Sequence, residues 1–207
     1  MAPDHGVARI LSLNVGAPRD VKWRGEIVTT AIWKHPVTGR VALRGVNFAA
    51  DDQADRRVHG GADKAVYAYA QEDYEWWRDE TGMEIAPALF GENLTTRGID
   101  LSAARVGERW RVGSAELEVA QPRLPCFKLG IRVGDPHFVR SFMQAKRPGA
   151  YLRIIREGEV GAGDAIEVLS RPDHEVTMRF MVEGVQDREK RAVVRATDGV
   201  PGHWREE

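Results

Sequence analysis

Cysteine is almost absent from this sequence, since Cys126 is the only one among 207 residues. A single cysteine excludes an intramolecular disulfide, a cysteine-rich zinc site and an iron–sulfur cluster held within the chain. Long apolar runs are missing too, because no stretch approaches the roughly 18 consecutive apolar residues that cross a bilayer. The segment from Met1 to Gly6 has neither the basic nor the apolar part of a secretory signal, so we expect a cytoplasmic protein without membrane contact.

An excess of charge of one sign is also missing. The chain has 30 Lys and Arg against 31 Asp and Glu, a formal net charge of −1. Nucleic-acid-binding proteins usually carry a basic excess, because phosphate neutralisation dominates their affinity. We therefore expect no nucleic-acid partner. The composition, 43% hydrophobic and 29% charged, is typical of a globular protein with one large domain or one domain and a small appendage.

The first two thirds of the sequence consist of short β-branched or alternating segments separated by glycine and proline. The predicted strands are 8–15, 26–35, 64–69, 109–112, 115–120, 151–156 and 165–169. Many short strands with turn signals between them favour a barrel or a sandwich over a parallel α/β sheet. We predict a mainly β domain over residues 1–171.

Helical patterns interrupt this arrangement and then dominate the C-terminal end. The predicted helices are 71–81, 137–144, 175–185 and 188–196, with a last turn within 200–205. Gly82 is the expected stop of the first, in which Trp76 and Trp77 are expected to serve packing. The change of pattern near Pro172 predicts a small C-terminal helical extension over residues 172–207.

Cys126 lies in the segment Gln121-Pro122-Arg123-Leu124-Pro125-Cys126-Phe127-Lys128, directly after a predicted strand. A helix beginning after Pro125 would place the thiol at its N-terminus, where the helix dipole favours a thiolate. Arg123 and Lys128 add positive charge nearby. A thiolate serves as a nucleophile or as a ligand of a soft metal. The alternative is a small buried apolar residue, which is what most free cysteines are.

A second candidate site is the segment from His59 to Lys64. Gly60 and Gly61 let the backbone turn sharply and approach a ligand closely. The exposed N–H groups of such a turn, with His59 and Lys64 beside them, would suit an anion such as phosphate. The alternative is a plain hairpin connection before the next strand.

Two further positions carry polar groups that a ligand could use. Asn93 offers a donor and an acceptor, and Glu92 could accept from the N–H of a heterocycle. Arg153 alternates with Leu152 and Ile154, so it points away from the core if those two face it. The alternatives are a structural turn for Glu92 and Asn93 and a solvated face for Arg153.

Four segments, taken in order, resemble the MOSC domain, the C-terminal domain of molybdenum cofactor sulfurase. They are 55–69 (DRRVHGGADKAVYAY), 90–94 (FGENL), 121–126 (QPRLPC) and 161–164 (GAGD). The chain most strongly resembles the bacterial branch linked to resistance to N-hydroxylated purines, including the small three-helix extension of that branch after Pro172. The resemblance covers nearly the whole chain, and its specificity lies in the ordered set of motifs.

The resemblance implies a MOSC-type β-barrel with peripheral helices and a bound molybdenum cofactor (molybdopterin). It implies Cys126 as the molybdenum ligand and catalytic residue. The other positions carried over as cofactor-binding are His59, Lys64, Glu92, Asn93, Arg123, Lys128 and Arg153. Pyridoxal phosphate binding is implied at the level of the family alone. An anionic pterin phosphate needs a thiolate for its metal, cations for its phosphate and mixed donors and acceptors for its ring, which these residue types supply.

Three hypotheses of function follow. The first is a molybdenum-dependent reductase of N-hydroxylated bases or related N-oxygenated compounds, which requires a separate electron-donor reductase as partner. The second is a sulfur carrier that holds a persulfide on Cys126 and binds no molybdenum. The third is a protein that stores or delivers the cofactor without turnover. A homodimer is compatible with each of them.

Overall fold

The computed structural model describes residues 7–54 and 60–206. The strands are β1 (Arg9–Val15), β2 (Arg19–Trp23), β3 (Glu26–Thr30), β4 (His35–Pro36), β5 (Arg40–Arg44), β6 (Asn47–Phe48), β7 (Val66–Ala70), β8 (Leu94–Arg97), β9 (Arg109–Val112), β10 (Ala115–Gln121), β11 (Ala150–Arg156), β12 (Gly158–Gly161) and β13 (Ile166–Ser170). The helices are α1 (Gln71–Thr81), α2 (Phe127–Val133), α3 (Phe138–Ala145), α4 (Met178–Gly184) and α5 (Arg188–Ala196). Short 3₁₀ turns occur at Ala62–Lys64 and Gly202–Trp204.

The largest sheet contains eight strands in the order β13-β9-β10-β11-β7-β8-β1-β4. Neighbouring strands are antiparallel except β7 and β8, which run parallel. The sheet curls until β1 reaches the segment leading into β13. There Ile10 N donates to Asp164 O at 2.9 Å, and Ile166 N donates to Ala8 O at 2.7 Å. This curled sheet with peripheral helices confirms the predicted mainly β architecture.

The strand predicted over residues 26–35 is wrong in its second half. β3 ends at Thr30, and the chain continues without regular structure until β4 begins at His35. In this interval the chain comes against Gly16, where an added Cβ would lie 2.3 Å from the carbonyl oxygen of Trp33. Only glycine permits that approach. The irregular segment lines the cleft described below.

Two hydrophobic clusters hold the elements together. One fills the curled sheet, and the other packs α1 and α3 against its outside through aromatic side chains. Trp77 is buried in the second cluster and Trp76 packs at its margin, as expected for packing residues. None of the helices in the described ranges is both long and apolar enough to cross a membrane.

The C-terminal segment changes to helical structure after β13, where the sequence pattern changes. The predicted helix 175–185 begins later, at Met178, because the Thr177 side chain accepts from Phe180 N at 3.1 Å and caps the helix there. Met178, Met181 and Val194 are buried in the same cluster that fills the sheet. The division of the chain into two domains stays a prediction.

Candidate functional site

A cleft with a cavity volume of about 120 Å³ opens where loops from several strands meet beside β7 and β11. The segments around it follow β3, β6 and β10 and precede β7 and β8. Of the residues predicted from sequence, the structure brings five together along this cleft: Lys64, Asn93, Arg123, Cys126 and Lys128.

Cys126 lies where the loop after β10 meets the start of α2. β10 ends at Gln121, the chain crosses the cleft wall through the proline-rich segment, and Cys126 is the N-cap of α2. The residue is half-buried and forms no disulfide. The helix therefore begins directly after Cys126, as the sequence predicts, and the thiol lies at its N-terminus.

Arg123 is a buried cation in the wall of the cleft. Its side chain is buried, and its Nη1 donates to the carbonyl oxygen of Phe90. The guanidinium lies over the ring of Tyr67, 5.2 Å from the centroid. Among the residues that the structure describes, no carboxylate forms an ion pair with it. A guanidinium has five N–H donors and stays charged, so a buried one without a carboxylate favours an anionic ligand.

A buried ion pair forms another part of the wall. Lys34 Nζ donates to Asp51 Oδ1, and both side chains are almost fully enclosed. Gly16 N donates to the same oxygen at 2.8 Å, while Asn93 Nδ2 donates to Asp51 Oδ2 at 2.8 Å. Burial lowers the pKa of Lys34, and the nearby Asp51 carboxylate opposes that shift. No local sequence pattern indicates this pair, because its partners come from separate loops.

Asn93 is fully engaged within the protein. Besides its bond to Asp51, its Nδ2 donates to Asn14 O at 3.2 Å, and its Oδ1 accepts from Tyr67 N at 3.1 Å. The amide therefore ties β1 and β7 to the loop that carries Asp51. In this arrangement Asn93 shapes the wall of the cleft.

Glu92 lies behind the cleft wall and is fully buried. Its Oε2 accepts from the Tyr74 hydroxyl at 2.7 Å, and its Oε1 accepts from the Thr95 hydroxyl at 3.0 Å. Burial raises the pKa of Glu92 to about 7, although these two hydrogen bonds favour the carboxylate. Its carboxylate thus contacts protein groups on both oxygens.

Lys64 and Lys128 also line the cleft. Lys64 ends the 3₁₀ turn before β7, and Lys128 lies in the first turn of α2, next to Cys126. Both are half-buried and add positive charge to the cleft. His59 falls outside the described residues.

Arg153 lies outside the cleft. Its Nε donates to Asp63, its Nη1 donates to Glu118 at 2.9 Å, and its Nη2 donates to the carbonyl of Gly199 at 2.9 Å. The side chain therefore joins β10 and β11 to the turn before β7 and to the C-terminal segment. Leu152 is buried in the core, and Arg153 lies on the other face of β11, as its alternation with Leu152 predicts.

Comparison with known proteins identifies the family. The sequence matches the MOSC domain model over residues 55–167. It is 37% identical over 171 residues to the uncharacterized protein YflK of Bacillus subtilis, which covers 83% of this chain and 77% of YflK. It is 33% identical over 174 residues to a protein named Reductase from Gibberella moniliformis, covering 82% of this chain and 30% of that protein.

The fold comparison agrees. The crystal structure of YiiM from Geobacillus stearothermophilus superposes with a TM-score of 0.78 and 26% identity, covering 96% of this chain and 95% of that one. The family match spans more than half of the chain. The chain therefore belongs to the MOSC family, in its YiiM branch.

Proposed function

We propose that this chain binds the molybdenum cofactor in the cleft through Cys126 and serves as a reductase of N-hydroxylated bases or related N-oxygenated compounds. The observation that carries the proposal is the buried Arg123 guanidinium, which faces the same cleft as the only thiol and lacks a carboxylate partner among the described residues. Soft metals prefer thiolate ligands, and guanidinium groups bind phosphate.

The residues of the cleft suit the groups of such a cofactor. Cys126 would ligate the metal, while Arg123, Lys64 and Lys128 would bind the anionic phosphate of the pterin. The bound cofactor would supply the two-electron chemistry that removes the substrate oxygen. Asn93 and the Lys34–Asp51 pair would keep the wall of the cleft in place.

A separate electron-donor reductase is part of this proposal. The chain has a single cysteine and so cannot hold its own iron–sulfur cluster. The relative named Reductase supports an oxidoreductase assignment. The match spans 30% of that relative's length.

The test is metal and pterin analysis of the chain produced in a host that makes the cofactor. We expect stoichiometric molybdenum in the wild type and none in Cys126→Ser. Arg123→Gln should lose most of the cofactor, whereas the matched change Arg156→Gln, at an exposed arginine on β11, should retain it. Purified, loaded protein should then reduce an N-hydroxylated base when a chemical reductant is supplied.

The other outcomes separate the competing hypotheses. Sulfane sulfur on Cys126 without molybdenum would refute the proposal and favour a sulfur carrier. Bound cofactor without turnover under any electron donor would refute the reductase and leave a storage or delivery protein. Full molybdenum content in Cys126→Ser would refute the assignment of the metal ligand.

A further inference from the structure

We propose that Lys34 donates a proton to the substrate oxygen in this cleft and that Asp51 is the positioning residue that aims its ammonium group. The inference rests on the proposed reductase function, and it assigns a role to a residue outside the sequence motifs of the family resemblance.

The first support is the placement of Lys34. Its side chain lines the cleft although only 7% of the residue is exposed. One N–H donates to Asp51, which is itself fixed by Gly16 N and Asn93 Nδ2. An ammonium group has three N–H donors, so this contact leaves others for a ligand in the cleft. Asp51, itself fixed by these two hydrogen bonds, therefore fixes the direction of the Lys34 side chain.

The second support comes from the other proton-bearing groups of the cleft. Arg123 does not give up a proton, because a guanidinium stays charged in proteins. The Tyr67 hydroxyl donates to Pro148 O at 2.9 Å, so its proton is already committed. Lys64 and Lys128 also line the cleft, but they are only half-buried and so are less enclosed than Lys34. Tyr151 is the remaining candidate, because it also lines the cleft. Burial raises the pKa of its hydroxyl, so it gives up a proton less readily than an exposed tyrosine does.

The acidity of Lys34 fits the role. Burial lowers its pKa, so its ammonium gives up a proton more readily than an exposed lysine does. The charged groups that face it are the carboxylates of Asp51, Glu92 and Asp52, and each opposes the shift. The lowered pKa brings the donor closer to the working pH, where proton transfer is more effective.

The reaction requires such a donor. An N-hydroxylated amine R–NH–OH takes up two electrons and two protons and yields R–NH₂ and water. The N–O bond breaks, the nitrogen gains one N–H bond, and the oxygen leaves as water after gaining the second proton. The electrons come from the electron-donor reductase. Lys34 supplies the proton to the leaving oxygen, and the neutral amine then regains a proton from solvent.

The decisive variant is Lys34→Arg, which can keep the ion pair with Asp51 but is a far weaker acid. We expect it to retain molybdenum and pterin, to keep KM, and to lose roughly 10²- to 10⁴-fold in kcat, the usual effect of removing general acid catalysis. Lys22→Arg makes the same change at an exposed lysine of β2 and should leave kcat unchanged. Tyr151→Phe should retain most of the activity.

A second readout does not depend on turnover. NMR titration of the Lys34 side chain in the isolated chain should give a pKa below the ordinary lysine value of 10.5. Asp51→Asn should move that titration to still lower pH, because the carboxylate stabilises the ammonium. A titration of Lys34 at or above 10.5 would overturn the proposal.

The outcomes also separate this inference from the proposed function. A wild-type chain without molybdenum and without reductase activity would refute both. An active, loaded wild type whose Lys34→Arg variant has the same kcat would refute the role of Lys34 alone. Loss of kcat in Tyr151→Phe but not in Lys34→Arg would assign the proton to Tyr151 instead.

Discussion

Glu92 provides a direct test of the electrostatics behind the cleft, through the substitution Glu92→Gln. The carboxyl group is fully buried, and it accepts hydrogen bonds from the hydroxyl groups of Tyr74 and Thr95. Glutamine keeps the shape of the side chain but removes its ionisation. We expect the substitution to change how the free energy of unfolding depends on pH.

The magnitude follows from the two pKa values of the group. Unfolded, Glu92 ionises near its ordinary value of 4.5, whereas in the folded chain burial raises its pKa to about 7. Between these values the folded chain binds a proton that the unfolded chain does not, so stability falls as pH rises. Each pKa unit corresponds to about 1.4 kcal/mol, so the ionisation of Glu92 removes about 3 kcal/mol of stability between about pH 4 and pH 8.

The assay is denaturant unfolding of the wild type and of Glu92→Gln at several pH values. The difference in unfolding free energy between the two should shift in favour of the variant by about 3 kcal/mol as pH rises across that range. Lost hydrogen bonds add an offset that does not vary with pH. Glu84→Gln makes the same change at an exposed carboxyl and serves as the control. A pH-independent difference for Glu92→Gln would refute the reasoning.

Two further predictions concern packing and helix capping. Trp77 is 2% exposed, so Trp77→Ala should lower the unfolding free energy by about 3–5 kcal/mol. Trp76→Ala, at the half-buried neighbour, should cost less, and an equal loss would contradict this account of the aromatic cluster. The Asp187 side chain accepts from Glu189 N at 3.0 Å and Lys190 N at 3.1 Å, so Asp187→Ala should cost about 1 kcal/mol by the same measurement. An unchanged midpoint would show that the cap contributes nothing.

Helices with strong local end signals were predictable from the sequence. α1 has the predicted bounds, and Gly82 ends it in the left-handed conformation, with φ of 69°. α5 also has the predicted bounds, because Asp187 caps its first turn. In both helices the residues that fix the end are neighbours in sequence, so no tertiary contact was needed to find them.

The cleft could be predicted only in part, because long-range contacts assemble it. The motif residues Arg123 and Cys126 were identified, since each belongs to a segment with a recognisable pattern. The pairing of Lys34 with Asp51 was missed, because the pattern of 26–35 favours a continuous strand. What interrupts that strand is the close approach of the chain at Gly16, which no local pattern records.

The hairpin of β2 and β3 shows the same limit at a smaller scale. Its tight turn consists of Arg24 and Gly25, both with positive φ, 51° and 91°. Glycine adopts that conformation readily, whereas arginine rarely does. Such turns are recognised in a sequence by an Asn-Gly or Asp-Gly pair, and this turn has Arg-Gly instead. Of the two turn residues only Gly25 favours this conformation. The pairing of β2 with β3 along their whole length holds Arg24 in it as well.

The C-terminal segment is bonded to the same strands that carry the cleft. Trp204 Nε1 donates to Gln121 Oε1 at 2.9 Å, and Gln121 Nε2 donates to Asp63 O at 3.2 Å. Gln121 is the last residue of β10, two residues before Arg123 in the cleft, and Asp63 directly precedes Lys64 in the cleft. Arg153 adds a bond from β11 to the carbonyl of Gly199. These contacts imply that the helical segment and the barrel unfold together.

Met178→Ala tests that implication, because Met178 lies on α4 but is buried in the cluster that fills the sheet. A shared core predicts one cooperative transition, lowered by about 2–5 kcal/mol. Hydrogen exchange should then rise by similar factors in peptides from α5 and from β10, since both are protected by the same global unfolding. Faster exchange confined to the helical segment would instead show that it opens independently. The change of pattern at Pro172 would then mark a boundary between two folding units.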